Sequence, residues 1–395
     1  MKKRIICLCL CVALLILPAC SGKEGGNETS SSSAAPSSSS TVSETQTTTE
    51  KATETESVTQ TSSAGETRAA KKTAPLNTVK ITPSQAIKNL LPGFSYAEYR
   101  GDDGLSDFLS GGGVSNDDEL TSFLVKQVVF SGRAGPIFRF KGAGCSTLSV
   151  RSKSGGYLFG RNFDWKRCNG LALVCRPSSG YKSVSTVNTD FITSNSDFKL
   201  TDDMLRFCAL YAPLDGMNEK GVCVSVNMVF DKSASINQQT SKPDLTTSTA
   251  IRLILDRAAS AKQAVELLKK YDMHASFGYV IHFAISDSTG YSVAVEYINN
   301  KLTVTETPVL TNFYVTPSKY GIGSQKSVKR YELIMDALEE TPEMSAAQVR
   351  DVMADAAQSQ LADYSTEWTA VFDRSTKSVT YYHRGGFKKG YTVYL

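Results

Sequence analysis

The stretch CSTLSVRSKSGGYLFGRNFDW, from Cys145 to Trp165, decides the fold. CSTLSV and YLFGRNF are rich in β-branched and aromatic residues, and SKSGG between them has the composition of a glycine turn. The stretch therefore reads as an antiparallel hairpin. A hairpin brings its open ends together, so Arg161 and Asp164 on the return strand come to lie beside Cys145. A guanidinium next to a thiol favours the thiolate. Two competing readings are structural. A lone cysteine is usually a small buried hydrophobe, and an Arg–Asp pair at a surface stabilises little.

Downstream, VCVSVNM (222–228) alternates like a strand after the turn-like DGMNEKG. Helical spacing predicts helices over 247–259 and 261–271. YVIHFAISD, YSVAVEYI and KLTVTE, separated by STG and NN, predict a three-strand meander. SVKRYELIMDALEE and SAAQVRDVMADAA read as helices, and EWTAVFD, SVTYYHR and YTVYL as closing strands. Hairpin groups with helices in separate pairs imply the α+β class, helices layered on antiparallel sheets.

Upstream of the hairpin, residues 77–144 read as a pre-segment ahead of a catalytic domain at 145–395. Within it SQAIKNLL and DDELTSFLVKQVVF have helical spacing, and GDDGLSDFLSGGG reads as a loop. Residues 20–76 are dominated by Ser, Thr, Glu, Ala and Gly. They bury too little apolar surface to offset the entropy of ordering, so they read as a disordered tether. Residues 1–19 have the form of an export signal: Lys2, Lys3 and Arg4, an apolar run from Ile5 to Leu17, then Pro18 and Ala19. Leu17-Pro18-Ala19-Cys20 resembles the lipobox of bacterial lipoproteins, which implies lipidation at Cys20 and a place on the outer side of the bacterial cell membrane.

The net charge of +4 comes from interspersed acids and bases, with no basic stripe for nucleic acid. No CxxC, H-E-x-x-H or acid/His cluster supports a metal, and no cofactor is expected. GIGSQKS (321–327) lacks the spacing of a phosphate loop and reads as a plain loop. There is no G-x-S-x-G elbow. Of three histidines, His274, His282 and His383, the second sits inside an apolar strand and reads as a core residue. Beyond the signal and Cys20, five cysteines remain, an odd number; Cys145 is the candidate nucleophile. Pairing among Cys168, Cys175, Cys208 and Cys223 is left open.

The hairpin resembles the nucleophile hairpin of the choloylglycine hydrolase family, which includes bile salt hydrolases, penicillin V acylases, acid ceramidase and N-acylethanolamine acid amidase. DGMNEKGVCVSVN, ending in Asn227, resembles the family's second block. HFAISDSTGYSVAVE followed by VLTN resembles the third and supplies Asn312, and SVKRYE carries Arg330. The resemblance implies an N-terminal nucleophile (Ntn) hydrolase, a four-layer αββα sandwich, and scission between Gly144 and Cys145. It implies Cys145 as nucleophile with its freed α-amine as base, Arg161 stabilising the thiolate, and Asp164 positioning the amine and thiol. Asn227 and Asn312 would lie near the oxyanion, and Arg330 would orient the site.

The chemistry is coherent. A free α-amine titrates near ~7.7–8.0, suited to proton transfer at neutral pH, whereas a mid-chain peptide nitrogen is no base. The expected reaction is acyl-enzyme hydrolysis of a linear amide in an N-acyl small molecule. Candidates are conjugated bile acids, penicillin V, N-acyl amino acids, N-acyl homoserine lactones and lipid amides. Acyl transfer through the same intermediate, or ligand binding by a non-catalytic lipoprotein, are the alternatives. Ser146 stands where the family often has threonine. The long stretch between Cys20 and Cys145 resembles the ceramidase branch, which keeps its cleaved pre-segment as a subunit. If 77–144 stays docked the enzyme stays tethered; if not, scission releases it. Substrate choice is expected to rest on loops near 191–198 and 230–237.

Overall fold

The computed structural model describes residues 73–128, 144–193, 200–361 and 363–395. The expected export signal, Cys20 and nearly all of the expected tether lie outside the described residues, as does part of the 191–198 loop. The pre-segment supplies β1 (Thr78–Lys80), β2 (Lys88–Leu91), β3 (Phe94–Gly101), α1 (Leu105–Ser110) and α2 (Asp117–Val128). The expected hairpin is β4 (Gly144–Ser152) and β5 (Tyr157–Trp165). Then come β6 (Gly170–Pro177), β7 (Ser183–Asn188), α3 (Asp190–Thr193), α4 (Asp202–Leu210), β8 (Asp215–Asn218) and β9 (Cys223–Met228). β10 (Asp244–Thr246), α5 (Thr247–Arg257), α6 (Ala261–Leu268) and β11 (Asp272–His274) precede the meander β12 (Ile281–Ser286), β13 (Ser292–Ile298) and β14 (Lys301–Glu306). The chain closes with β15 (Val309–Leu310), α7 (Gln325–Glu340), β16 (Glu343–Met344), α8 (Ala346–Asp355), β17 (Ser365–Asp373), β18 (Ser378–His383) and β19 (Gly390–Tyr394).

Two sheets face each other. One runs β1-β19-β18-β17-β5-β4-β15, with β16 beside β4; the other runs β14-β13-β12-β9-β8-β7-β6-β3-β2. Helices α7 and α8 cover the outer face of the first, and α4, α5 and α6 the outer face of the second. The result is a four-layer αββα sandwich. β4 is buried on both faces. Its even positions, Leu148 and Val150, pack with Ile334, Val349 and Met353 under α7 and α8. Its odd positions face the second sheet, where Ser149 Oγ lies 2.7 Å from Ser286 Oγ of β12. Gly155 and Gly156 in the turn both have positive φ, 91° and 71°, which L side chains adopt at a cost.

Four readings are corrected. SQAIKNLL is not helical: KNLL is β2, which folds back on β3 across Pro92-Gly93, with Leu91 opposite Phe94. GDDGLSDFLSGGG contains α1, because Leu105 and Phe108, one turn apart, are both buried. DGMNEKG is not turn throughout: Asp215–Asn218 is β8, and the chain turns only after Asn218, whose carbonyl accepts from Gly221 N at 2.8 Å. GIGSQKS is loop only to Ser324, since α7 begins at Gln325. Ala74 and Pro75, at the end of the expected tether, are held by Arg350, which donates to their carbonyls at 2.8 and 3.4 Å.

Candidate active site

The hairpin register sets the site. Cys145 pairs with Phe163, Gly144 with Asp164 and Thr147 with Arg161. Because side chains alternate across a strand, Cys145, Phe163 and Arg161 point between the sheets, while Ser146, Asn162 and Asp164 point toward α7 and α8. Arg161 and Asp164 thus flank Cys145 from opposite faces.

On the inner face Arg161 is fully buried. Its Nη1 donates to Asn227 Oδ1 at 3.1 Å and its Nη2 to the Val226 carbonyl at 2.9 Å. Its Nε lies 3.5 Å from Asp215 Oδ2, which also accepts from Trp368 Nε1 at 3.1 Å. Burial pushes the Asp215 carboxyl up, and Arg161 opposes that. Phe163 stacks on Trp368 with centroids 4.0 Å apart. Burial likewise pushes the Cys145 thiol up, while the charge and hydrogen bond of Arg161, and more weakly Arg330, pull it down.

On the helix face Asp164 accepts from Arg330 Nη1 at 3.0 Å, Gln358 Nε2 at 3.1 Å and Thr366 Oγ1 at 2.6 Å. Arg330 Nη1 also donates to the Cys145 carbonyl at 2.9 Å and to Ser146 Oγ at 2.6 Å. β15 pairs Leu310 with Thr147, so the antiparallel register carries Asn312 opposite Cys145. Asn312 Oδ1 accepts from Cys145 N at 2.6 Å and from Arg330 Nη2 at 2.8 Å. Ser327 of α7 accepts from Asn312 N, fixing that corner. His282 is a core residue: its ring bonds Glu296 and the Thr311 carbonyl, each at 2.8 Å, and so braces the residue before Asn312.

The six residues read from the sequence, Cys145, Arg161, Asp164, Asn227, Asn312 and Arg330, form one connected cluster. Both asparagine side-chain nitrogens are engaged by backbone carbonyls. Asn227 Nδ2 donates to the Leu310 and Thr311 carbonyls, both at 3.1 Å, and Asn312 Nδ2 to the Met228 carbonyl at 2.8 Å. Asn312 alone keeps a second amide hydrogen with no protein acceptor among these bonds. Asp215, Gln358, Thr366 and Ser327 escaped the sequence reading. Only Asp215 carried a signal, a carboxylate within the quoted DGMNEKG block.

Gly144 is tightly enclosed: a Cβ there would sit 2.4 Å from Gln358 Nε2 and 2.8 Å from Asp164 Oδ2. A pocket open to solvent reaches Cys145 between walls of Phe163, Trp165, Leu214, Val226, Met228 and Ile281. Among the described residues no cluster of three His, Cys, Asp or Glu could hold a metal. The five described cysteines are buried free thiols.

The chain is similar to the bile salt hydrolase/transferase of Clostridium perfringens (strain 13 / Type A), 29% identical over 181 residues, 42% of this chain and 53% of the relative. It thus spans about half the length of that curated relative. Among solved structures it is similar to a penicillin V acylase from Agrobacterium tumefaciens, at TM-score 0.45 and 18% identity over 60% of this chain and 83% of the other. It is also similar to a mutant conjugated bile acid hydrolase from Clostridium perfringens, at TM-score 0.45 and 18% identity over 60% and 89%. The profile of the linear amide C-N hydrolases, choloylglycine hydrolase family, matches residues 145–342, half of the chain and the whole cluster around Cys145; the chain belongs to that family.

Proposed function

We propose that this chain is a linear amide hydrolase that uses Cys145 after scission of the Gly144–Cys145 bond and acts on N-acyl small molecules. The observation that carries the reading is the grip on Cys145 in the uncut chain. Its nitrogen is already held by Asn312 and its carbonyl by Arg330. Scission turns that nitrogen into a primary amine without moving it, which places a base beside the thiol. The thiol attacks the amide carbonyl, the amine passes a proton to the leaving nitrogen, and water then releases the acid from the thioester. The remaining Asn312 amide hydrogen, and Asn227 once its carbonyl partners shift, would meet the oxyanion, each contributing about 3 kcal/mol.

Conjugated bile acids, penicillin V, N-acyl amino acids and lipid amides remain the substrate candidates. Acyl transfer to an amine is the second reading, favoured by the C. perfringens relative, which is a bile salt hydrolase/transferase. We also propose that residues 77–144 stay docked as a subunit. β3 supports this, since it pairs in parallel with β6 over eight residues inside the second sheet. With Cys20 lipidated, docking would keep the enzyme on the outer membrane surface.

The test has two parts. Intact mass and terminal sequencing of secreted protein should find a fragment beginning at Cys145. The same material, given a panel of N-acyl amino acids, bile conjugates and penicillin V, should release amine from at least one. Active protein still joined at Gly144–Cys145 overturns the reading. Supplying a second amine and finding a new amide by mass separates transfer from hydrolysis.

A further inference from the structure

The pocket beside Cys145 has a hydroxyl-bearing corner in a largely apolar wall, to which Tyr279 also contributes. Thr247 and Ser248, in the first turn of α5, line it together with Ser276 from the short turn before β12. The backbone binds the corner together: Ser276 N donates to Thr247 Oγ1 at 3.0 Å. The Thr246–Thr249 capping box serves the α5 cap itself, so it does not use the hydroxyls of Ser248 and Ser276. Ser276 is 6% exposed, and its Oγ has no hydrogen-bond partner. A buried hydroxyl without a partner is disfavoured unless something else supplies one.

We infer that this corner binds a neutral oxygen carried on the acyl chain of the substrate. The inference rests on the amidase reading and narrows it to amides of oxygen-bearing acyl groups. Cys145 lines the same pocket, so a group whose carbonyl is attacked there extends its chain along the apolar wall toward Ser276. No charged side chain lines the pocket, so a carboxylate would be buried there without a counter-ion. A hydroxyl or ether oxygen meets the serine hydroxyls without that penalty.

The test uses processed wild-type protein and the variants Ser276→Ala and Ser276→Thr. Substrates are N-octanoylglycine, its monohydroxylated forms at each carbon from the third outward, and the form ending in a carboxylate. One hydroxylated form should exceed the unsubstituted one in kcat/KM by about tenfold, the worth of one good hydrogen bond. That ratio should fall to about one in Ser276→Ala and recover in Ser276→Thr. Thermal unfolding of Ser276→Ala should match wild type, because the missing Oγ had no partner. Equal rates for all hydroxylated and plain forms overturn the inference, as does a preference unchanged in Ser276→Ala or a carboxylate preferred above every neutral form. Those outcomes leave the amidase reading standing; no hydrolysis of any form also overturns the inference, and the amidase reading falls with it only if bile conjugates and penicillin V are left intact as well.

Discussion

The described residues before Gly144 and those after it contribute different things. Residues 78–128 supply part of the core, with Phe94, Tyr96, Ala97, Leu105, Phe108, Leu120 and Leu124 all buried, and none of the six clustered site residues. Everything in the cluster comes from 145 onward. Yet the first region is not an appendage, since β3 is an internal strand of the second sheet and β1 pairs in parallel with β19 of the first. If the proposed scission at Gly144–Cys145 occurs, the strand pairing of β1 and β3 would hold the two regions together without that peptide bond.

The largest effect follows from keeping the two regions covalently joined. Cys145→Ala should leave the exported chain at full size and abolish amide hydrolysis. The expected loss is on the order of 10⁶-fold, the scale seen when a covalent nucleophile is removed. Gel mobility and released amine check this. Identical fragments from the variant and wild type would show that another agent makes the cut.

Next in size are the cores of the two regions, each probed by one buried residue. Arg161→Gln removes the guanidinium that faces Asp215 and so leaves a buried carboxylate unpaired; about 3–5 kcal/mol of stability should go. Adding Asp215→Asn should restore part of it, which distinguishes a lost charge pair from lost packing. Phe94→Ala, in β3, should cost about 3–5 kcal/mol as well. It should also let the two proposed fragments separate on a sizing column, where wild-type fragments should co-elute. Wild-type fragments that part without denaturant would break the view of residues 77–144 as a retained subunit.

The two regions also differ in how far the sequence disclosed them. The hairpin was legible because strand composition, a double-glycine turn and the Arg161–Asp164 spacing agree within twenty-one residues. SQAIKNLL was misread because Ile87, Leu90 and Leu91 have helical spacing, while the local turn at Gly93 and the pairing with β3 favour a strand. α1 was hidden by the glycines that flank it, and its stability comes from Phe108 packing against Phe123 and Tyr211. β6 and β7 went unread, since a run such as GLALVC fits a buried strand or helix equally. Within the site, Gln358 and Thr366 were invisible. Their contact with Asp164 is made by folding alone, across about two hundred residues of chain. The face each residue occupies was also beyond the sequence reading, because it depends on which sheet surface meets the second sheet.

The smallest effect is a difference in sign between the regions as pH falls. Burial raises the Asp103 carboxyl of the first region, against the opposing pull of Arg252. A raised acid stabilises the fold fully below its unfolded pKa, and that contribution is lost as pH rises through the folded value. Glu296 in the second region behaves oppositely. Burial pushes it up, but hydrogen bonds from His282, Thr316 and Val315 and the charge of His282 outweigh that and lower it. Its contribution is present above its unfolded pKa and disappears as pH falls through the folded value. Mild acidification should therefore relieve the burial cost of the Asp103 carboxylate, at the expense of its 3.8 Å ion pair with Arg252, before it loosens the Glu296 corner. Fragment co-elution across a pH series, with Asp103→Asn and Glu296→Gln, separates the two. Asp103→Asn should flatten the dependence of docking, and Glu296→Gln should flatten the acid loss of thermal stability. The same slope in both variants and in wild type would mean that other carboxylates dominate.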